Sequence, residues 1–295
     1  MRDDRMFGAL LVETIPAQTA PAVQQALGER GLVIPAADGP EALLLEAGGG
    51  RVAGFSTISP DKPEDNQDAG LVVELDGDTT LLAVADGAGG IRGGRRASRI
   101  ALSTLRDTVL YADREASSLR DIMVSAFEQA NLSVIQATRG AATTLTAVLI
   151  EGRVAQIFHV GDSIGLVTGQ RSRVKMQTVA HSPVGFAIAA GYLTEEQAIF
   201  HPERHIVSNF VGTHEMLIEV GPKIRLAARD RVLLASDGLT DNLYLEEILG
   251  VMRSGPLDDA VGELALRTSE RMLRRQATEP GKPDDIVVLL FDKRP

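Results

Sequence analysis

One segment, Thr79–Ser98, limits the possible folds more than any other part of the chain. It reads TTLLAVADGAGGIRGGRRAS, so an apolar run rich in strand-forming residues leads to a single carboxylate, Asp86, and then to glycines. Beyond the glycines, apolar residues recur at the spacing of a helix. The pattern predicts a strand that ends on an acid at a sheet edge and turns through glycines into a helix. Glycines at such a turn let the backbone itself approach a bound group.

Three interpretations of this loop follow from its residues. A dinucleotide- or phosphate-binding loop is disfavoured, because the sixth position of G-x-G-x-x-G counted from Gly87 is Arg92 and the chain contains no G-x-x-x-x-G-K-[ST]. An ordinary hairpin turn is the second interpretation, since Asp-Gly pairs are common in such turns. A metal site is the third, with Asp86 and the Gly87 carbonyl as the oxygen ligands that hard divalent cations prefer. The segment alone does not favour the turn over the metal site, or the reverse.

Composition excludes several classes of function. The chain has 295 residues, of which 44% are hydrophobic, enough for a sizeable buried core in one large domain or two small ones. With no Trp and three Tyr it lacks the stacking platforms of proteins that bind single-stranded nucleic acid. A formal charge of −10 also argues against nucleic acid or an anionic membrane as the main partner. The absence of cysteine excludes disulfides, thiolate zinc sites and a cysteine nucleophile.

The sequence contains no evident targeting signal. The first residues, MRDDRMFGALLVE, include acids where a signal peptide has basic residues, and their apolar run is short. The chain has no run of about 18 apolar residues, the minimum for a membrane span. We therefore expect a cytoplasmic protein that does not span a membrane.

The order of apolar patterns predicts an α+β fold. From Arg51 onward, strand-forming runs occur in blocks, and pairs of amphipathic helices separate these blocks instead of alternating with single strands. A turn at Asp76-Gly77 predicts that the runs LVVEL and TLLAVA form a hairpin. Later strands are predicted from TTLTAVLI, VAQIFHV, IGLVT, VKMQTV, MLIEV, VLLAS and IVVLLF. The four helices are predicted at about residues 94–111, 117–137, 242–253 and 257–275.

Residues 1–50 are predicted as an N-terminal extension whose role the sequence does not indicate. Strands are predicted in MFGALLVETI, GLVIP and EALLLEA, and a short helix is predicted in AQTAPAVQQALGERG. The extension is either a small appended βαβ-like unit or a set of extra strands on the main fold.

Acidic residues stand where several predicted strands end or begin. Adjacent unpaired carboxylates repel one another, so acids gathered at a sheet edge need protons, basic partners or metal ions. The chain has no Cys and five scattered His, which favours Mg²⁺ or Mn²⁺ over zinc. Each such Asp taken singly is more typical of a turn or a helix cap than of a metal ligand. The acids are Asp68, Asp86, Asp162, Asp237, Asp241, Asp284 and Asp285.

The acids lie in segments that resemble, in the same order, the motifs of bacterial PPM-type (protein phosphatase 2C-like) metal-dependent Ser/Thr protein phosphatases. The resemblance covers about residues 51–292, and the number of motifs in register makes it specific. The matching segments are NQD at 66–68, VADGAGG at 84–90 with Ala97 and Ser98, ATT at 142–144, VGDS at 160–163, AHS at 180–182, HPERHIVSNFVG at 201–212, SDGLTD at 236–241 and DDIV at 284–287.

This resemblance implies a four-layer α-β-β-α sandwich in which two antiparallel sheets are flanked by helix pairs, with the phosphatase domain at residues 51–293. It also implies hydrolysis of phosphoserine and phosphothreonine in proteins, by a hydroxide that bridges two metal ions and attacks phosphorus in line. The implied partner is a phosphorylated protein, and the implied role is to oppose a Ser/Thr kinase. No covalent phosphoenzyme is needed, which suits a chain without Cys.

The resemblance further implies two Mn²⁺ or Mg²⁺ ions, and a third ion as in some members of the family. Asp86 is implied as the carboxylate that bridges the two ions, and Asp68 as the residue that holds metal-bound water; both are implied to be catalytic. The other implied ligands are Asp237 and Asp284 at one ion, the Gly87 carbonyl at the other, and Asp162 and Asp241 at the third, weaker ion.

Four positions depart from the family pattern. Pro63 stands where the family has an arginine that grips substrate phosphate, and the neighbouring Lys62 is predicted to bind phosphate instead, as a point charge without the arginine fork. Gln67 replaces a frequent Glu, and Asp285 replaces a frequent Asn. Ala88 leaves no motif-matched His as general acid, so a metal-bound water is expected to protonate the leaving group. The departures leave an alternative function open: a catalytically weak or inactive module that binds phosphorylated partners.

Two other motifs are weak evidence for a function. Gly161–Gly165 fits the serine-hydrolase pattern G-x-S-x-G, but that pattern needs a helix after the serine, and a β-prone run follows. His201 and His205 are four residues apart, but Pro202 lies between them and no H-E-x-x-H occurs, which disfavours zinc.

The irregular stretch 180–212 lies where the family has a mobile flap, and we expect it to help select substrates.

Overall fold

Side-chain alternation along the strands builds apolar layers on both faces of a sheet. In strand β5 (Thr79–Ala85), Leu81 and Ala83 face one layer while Leu82 and Val84 face another. Successive side chains of a strand point to opposite faces, so a run that is apolar throughout is covered on both sides. The computed structural model describes residues 31–34, 42–62, 66–89, 91–276 and 279–293.

Two antiparallel sheets, with strands numbered in chain order, form the centre of the fold. The first has seven strands, in the order β1 (Leu32–Ile34), β4 (Ala69–Asp76), β5, β8 (Leu145–Glu151), β9 (Val154–Val160) and β12 (Glu219–Val220), with β13 (Ile224–Arg225) also paired to β9. The second has six, in the order β11 (Val174–Gln177), β10 (Ile164–Thr168), β14 (Arg231–Ala235), β15 (Ile286–Lys293), β3 (Gly50–Thr57) and β2 (Leu43–Ala47). Outside these sheets, β6 (Gly87–Ala88) pairs with β7 (Ala142–Thr143).

Helices cover the outer face of each sheet. The helices are α1 (Ile91–Leu110), α2 (Leu119–Ala137), α3 (Pro183–Ala189), α4 (Glu195–Ile199), α5 (Asp237–Thr240), α6 (Leu245–Met252) and α7 (Leu257–Arg274). The pair α1 and α2 shares an apolar core with the first sheet, and the pair α6 and α7 shares one with the second sheet. A third core lies between the two sheets. The α+β class and the four-layer α-β-β-α sandwich are therefore confirmed.

Helix α2 illustrates how sequence periodicity positions a layer. The Ser118 hydroxyl caps its N-terminus by accepting a hydrogen bond from the Asp121 N–H at 3.2 Å. Its apolar face then packs toward β9, where the rings of Phe127 and Phe158 have centroids 6.1 Å apart. Full burial of one such aromatic ring contributes about 2–3 kcal/mol to stability. The 3.6-residue period predicts one apolar face on α2, in which Leu119 is only partly buried. The other predicted residues of this face are buried: Ile122, Met123, Ala126, Phe127, Ala130 and Val134.

Most predicted strands lie where the sequence places them. The predicted hairpin across Asp76-Gly77 is formed by β4 and β5. Gly161 and Ser163 lie between β9 and β10, so a strand and not a helix follows the serine, and the serine-hydrolase interpretation lacks its helix. The strand predicted from MLIEV is confirmed only at β12, and the irregular stretch 180–212 contains the two short helices α3 and α4.

The first fifty residues contribute to both sheets where they are described. The strands predicted from GLVIP and EALLLEA are confirmed as β1, which pairs with β4, and β2, which pairs with β3. These strands extend the sheets beyond the predicted domain limits 51–293. The strand predicted in MFGALLVETI and the helix predicted in AQTAPAVQQALGERG lie outside the described residues, and the division at residue 50 stays a prediction. Within the described ranges, no helix has both the length and the hydropathy needed to cross a membrane.

Candidate active site

Seven carboxylates meet where strands of both sheets end, and we call them the acidic cluster. Asp86 follows β5, and Asp237 follows β14 as the first residue of α5. These two carboxylates and that of Asp68 are close enough to raise the pKa of one another or of their neighbours. The structure thus brings together every acid that the sequence singles out. The cluster consists of Asp68, Asp86, Asp162, Asp237, Asp241, Asp284 and Asp285.

Two threonines hold the backbone of Asp86. The Asp86 N–H donates to Thr144 Oγ1 at 2.9 Å, and the Asp86 carbonyl accepts from the Thr144 N–H at 2.8 Å. The Thr143 hydroxyl donates to the same carbonyl at 2.8 Å. Every backbone polar group of Asp86 is therefore paired with the ATT segment, and the carboxylate reaches into the cluster, where it is hydrogen-bonded with Asp237. The threonines of the matched motif thus act by orienting an acid that lies 57 residues earlier in the chain.

Close packing of two backbones explains the glycines beside Asp86. A Cβ at Gly87 would lie 2.2 Å from the Gly94 carbonyl oxygen, and a Cβ at Gly94 would lie 2.4 Å from the Gly87 carbonyl oxygen. Neither position therefore accepts a side chain. The turn brings helix α1 against the acid-bearing loop, as the sequence predicts, and the role of the Gly87 carbonyl as a metal ligand stays a prediction.

The loop that carries Asp68 is tied to the rest of the site by a network of short hydrogen bonds. Asn66 Nδ2 donates to Ser56 Oγ at 2.9 Å, and the Asp68 N–H donates to Asn66 Oδ1 at 2.9 Å. The Ser98 hydroxyl donates to the Gln67 carbonyl at 2.6 Å and so joins the loop to α1. The Asp68 carboxylate in turn is hydrogen-bonded to Ser236. The NQD motif is thus held at both ends of its short turn.

Asp285, which the sequence marks as a departure from the family pattern, also organises this loop. Its carboxylate accepts from the Ser59 N–H at 2.8 Å, the Gln67 N–H at 2.9 Å and Lys62 Nζ at 2.9 Å. Lys62 Nζ also lies 3.7 Å from Asp284. Lys62, predicted to bind substrate phosphate, thus reaches the site but is already paired with acids there, and its phosphate role stays a prediction. Pro63 lies outside the described residues.

Lys282 is the residue of this site that sequence reasoning missed. Its Nζ donates to Asp237 Oδ2 at 2.9 Å and to Asp241 Oδ2 at 2.6 Å, and it lies 3.0 Å from Asp284 Oδ2. Burial acts to lower the pKa of Lys282, but attraction to these acids outweighs burial and raises it. Likewise, burial acts to raise the pKa of Asp237, but Lys282 outweighs it and lowers that pKa. A basic residue two positions before a motif aspartate was the available sequence signal.

Burial is the main cause of the other pKa shifts in the acidic cluster. It raises the pKa of Asp68 and Asp86 well above the usual range, and neighbouring carboxylates raise both further. Burial, with the charges of Asp237 and Asp241, raises the pKa of Asp162 to about 8. Burial, with the charge of Asp237, raises the pKa of Asp241 to about 6. The chain by itself therefore leaves this cluster short of positive charge.

Three buried carboxylate oxygens test whether the cluster suits a metal ion. Asp68 Oδ2, Asp162 Oδ1 and Asp237 Oδ1 are buried and have no hydrogen-bond partner among the described residues. A buried polar atom left unpaired costs about 1–3 kcal/mol, and hard divalent cations bind oxygen donors of this kind. Among the described residues no three acidic or histidine side chains already converge as ligands of one ion, since Lys282 lies between several of them. The carboxylate oxygens of the cluster are donors that fit Mg²⁺ or Mn²⁺, and several of them are arranged around the ammonium group of Lys282.

A second polar region, the hydroxyl–imidazole network, lies next to the cluster. It consists of Thr144, Thr146, Ser163 and His159. Thr144 Oγ1 and Ser163 Oγ are 2.8 Å apart, and Thr146 Oγ1 is 2.8 Å from His159 Nδ1. His159 Nε2 donates to the Val179 carbonyl at 3.2 Å, so Nδ1 is the acceptor. Ser163 is fully buried within the network, which is inconsistent with a nucleophile that must meet substrate.

A cavity of about 450 Å³ adjoins the acidic cluster. Asp162, Asp237 and Asp241 contribute to its lining. Much of the remaining lining is apolar and comes from the irregular stretch 180–212 and from helix α6. The stretch predicted to resemble a flap therefore lies beside the acids and forms part of a pocket with them. Apolar residues that line the cavity include Val184, Ile188, Ile199, Leu245 and Ile248.

Comparisons with known proteins agree with this geometry. A family model described as protein phosphatase 2C matches residues 58–276. Protein phosphatase PhpP of Streptococcus pneumoniae is 31% identical over 220 residues, which make up 72% of this chain and 85% of PhpP. The structure of the S. agalactiae serine/threonine phosphatase has a TM-score of 0.70 at 28% identity and covers 82% of this chain and 99% of that one.

A further solved structure is informative about ligands. The catalytic domain of the serine/threonine protein phosphatase PstP, in complex with 2 manganese ions, has a TM-score of 0.65 at 25% identity. The match covers 82% of this chain and 97% of that domain. The motifs, the sandwich and these similarities lead to one conclusion: the chain belongs to the protein phosphatase 2C (PPM) family and is similar to its bacterial members.

Proposed function

We propose that this chain is a metal-dependent phosphatase that hydrolyses phosphoserine and phosphothreonine in proteins. The observation that carries the proposal is the acidic cluster at the positions of the family's motifs, with three buried oxygens that lack a partner among the residues described. PhpP and PstP are named as protein phosphatases, which supports a phosphoprotein as the substrate class. Opposition to a Ser/Thr kinase and a cytoplasmic location are parts of the same proposal.

The proposed metal ligands are the acids and one carbonyl named from the sequence. Asp86 would bridge two Mn²⁺ or Mg²⁺ ions, and the pairing of its backbone with Thr143 and Thr144 holds its carboxylate in the cluster, where it is hydrogen-bonded with Asp237. When bound, such ions supply a water of lowered pKa and positive charge beside the phosphate. The other proposed ligands are Asp237, Asp284 and the Gly87 carbonyl, with Asp162 and Asp241 at a third, weaker site.

The chain's own residues then orient the reactants. Asp68 is proposed to accept a hydrogen bond from the attacking water through its unpartnered Oδ2, while Ser236 holds the rest of that carboxylate. Lys62, at the edge of the cluster, is proposed to attract the substrate phosphate as a point charge. Position 88 is Ala, so protonation of the leaving serine or threonine oxygen falls to water.

One observation favours a second function, a catalytically weak module that binds phosphorylated partners. Lys62 and Lys282 are both paired with acids, which reduces the positive charge available to a phosphate. The full set of acids in the cluster favours the enzyme, because a binding module does not need buried oxygens without partners.

Metal dependence tests the proposal. The full chain would be assayed on p-nitrophenyl phosphate and on a phosphothreonine peptide, with Mn²⁺, with Mg²⁺ and with EDTA. We expect turnover when Mn²⁺ or Mg²⁺ is present and none with EDTA. The turnover rate should fall about a hundredfold or more in Asp86→Asn and Asp237→Asn, since each variant removes a charged ligand. Asp107→Asn, on an exposed face of α1, is the control and should keep its activity. Bound Mn²⁺ in calorimetry without turnover by the unchanged chain would favour the binding module.

A further inference from the structure

Lys282 occupies the centre of the acidic cluster. Its ammonium contacts carboxylates from three places in the chain, Asp237 at the start of α5, Asp241 at its end and Asp284 before β15. The three N–O distances are 2.9, 2.6 and 3.0 Å, all within the range of charge-assisted hydrogen bonds. Its side chain is 24% exposed, so solvent screens these contacts only in part. One lysine thus provides a large share of the cluster's positive charge.

The backbone of this lysine is anchored by a buried side chain. Asn242 Nδ2 donates to the Lys282 carbonyl at 2.8 Å and to the Gly238 carbonyl at 2.9 Å, and Asn242 is fully buried. The next residue, Pro283, has a fixed φ. The segment before β15 is therefore tied to the turn that carries Asp237, and the tie directs the ammonium into the cluster.

An ammonium in this place conflicts with a metal ion in the same place. Asp237 and Asp284 are proposed ligands of one ion, and each uses its Oδ2 to bind Lys282. A divalent ion on these oxygens would lie within a few ångströms of the ammonium, and like charges repel strongly in a site that is mostly shielded from water. Asp237 Oδ1, buried without a partner in the part of the chain that the structure describes, can bind an ion once the ammonium moves away. Metal entry therefore requires Nζ to leave two of its three partners.

We propose that Lys282 is a built-in competitor of the divalent ion held by Asp237 and Asp284. Its ammonium offsets part of the cluster's negative charge when metal is absent and weakens metal binding there. This inference rests on the proposed function, because it concerns the same ligands. Asp241 makes the shortest of the three contacts and is not a ligand of the two main ions, so it is the partner that the ammonium keeps when an ion enters. The protein then needs a higher metal concentration than the same chain without this lysine.

Substitution of Lys282 separates competition from a merely structural role. The full chain, stripped with EDTA, would be titrated with Mn²⁺ in a calorimeter as the unchanged protein, Lys282→Met and Lys282→Arg. Thermal unfolding of the same samples would be followed with EDTA and with Mn²⁺. Lys175→Met is the matched control, since Lys175 pairs with buried Asp230 at the far end of β14 from the cluster.

We expect Lys282→Met to bind Mn²⁺ about tenfold more tightly or better, since loss of a competing contact adds directly to the binding free energy. In EDTA its unfolding midpoint should fall, and Mn²⁺ should raise that midpoint by more than in the unchanged protein. Lys282→Arg, which keeps the charge, and Lys175→Met should bind Mn²⁺ like the unchanged protein. If Lys282→Met is unfolded in EDTA, folding driven by Mn²⁺ in that variant also supports competition.

The outcomes distinguish this inference from the proposed function. Unchanged or weaker Mn²⁺ binding by Lys282→Met, in a chain that binds Mn²⁺ and hydrolyses phosphate, would overturn the inference alone. Failure of both the unchanged chain and Lys282→Met to bind Mn²⁺ would overturn both. Binding by Lys282→Met but not by the unchanged chain would support the inference and show that competition is strong.

Discussion

The acidic cluster and the hydroxyl–imidazole network are adjacent polar regions that differ in how many of their polar atoms are paired within the protein. In the network, Thr144 pairs with Ser163 and Thr146 pairs with His159, and the remaining imidazole nitrogen donates to a carbonyl. In the cluster, within the described ranges, three buried carboxylate oxygens have no partner and two lysines pair with some of the seven acids. Buried polar groups are normally satisfied by the protein, so the difference indicates that a ligand completes the cluster, whereas the network is structural.

The pKa shifts in the two regions also have opposite signs. Burial, with the nearby charge of His181, lowers the pKa of His159 to about 3. Burial, with the charges of Asp237 and Asp241, raises the pKa of Asp162 to about 8. Both shifts favour the neutral form, as expected for groups removed from water. A change of pH therefore separates the two regions experimentally.

The largest expected effect comes from Thr144, the residue that links both regions. Thr144→Val keeps the shape of the side chain but leaves the Asp86 N–H and the Ser163 hydroxyl unpaired in a buried place. We expect the free energy of unfolding to fall by about 2–4 kcal/mol, since each unsatisfied buried group costs about 1–3 kcal/mol. Chemical denaturation would measure it.

Thr168→Val is the control, because the Thr168 hydroxyl is also buried but its contact with the described residues is a long one, 3.4 Å to the Arg231 carbonyl. Its loss should stay below about 1 kcal/mol. Equal losses of unfolding free energy in the two variants would mean that the hydrogen bonds of Thr144 stabilise the fold no more than the long contact of Thr168 does.

The next effect is a loss of stability at acid pH that His159 causes. Its folded pKa of about 3 lies below the unfolded value of 6.5, so the contribution is complete above 6.5 and is lost as pH falls. Between pH 7 and pH 5 the unchanged protein should lose about 2 kcal/mol more than His159→Gln. Denaturant titrations at both pH values, in EDTA, would show the difference.

Exposed His205→Gln serves as the control and should follow the unchanged protein. Parallel pH curves for the unchanged protein and His159→Gln would show that the imidazole in the network takes up a proton while the protein remains folded.

The smallest effect has the opposite sign and belongs to the cluster. The folded pKa of Asp162, about 8, lies above its unfolded value, so its contribution is present at low pH and is lost as pH rises through about 8. In EDTA, the unchanged protein should lose about 1 kcal/mol more stability than Asp162→Asn between pH 6 and pH 9. The difference is small because the repulsion is spread over several neighbouring carboxylates, which remain in the variant. Denaturant titration in EDTA measures this loss, and Mn²⁺ should reduce it. A loss in Asp162→Asn as large as in the unchanged protein would contradict the prediction.

The sequence determined the sandwich and the identity of the acids. Period-2 and period-3.6 patterns are local, so β5 and α2 were predicted with boundaries within a few residues. The motifs around Asp86 and Asp237 likewise need only neighbouring residues to be seen. Their convergence in one site was implied by the resemblance to the PPM-type phosphatases and not by the position of each acid at a strand end.

The tertiary structure alone decided how the site is held and neutralised. Lys282 meets Asp237 and Asp241 across 45 and 41 residues of chain, and the Asp285 carboxylate reaches the loop at Ser59 across 226. Strands β1 and β2 likewise join the sheets through pairings that periodicity does not specify. Contacts of this kind depend on side-chain reach and on which elements fold against each other, and the local spacing of residues in the sequence predicts neither. The sequence therefore specified the acids, and the folded chain specified the lysine among them.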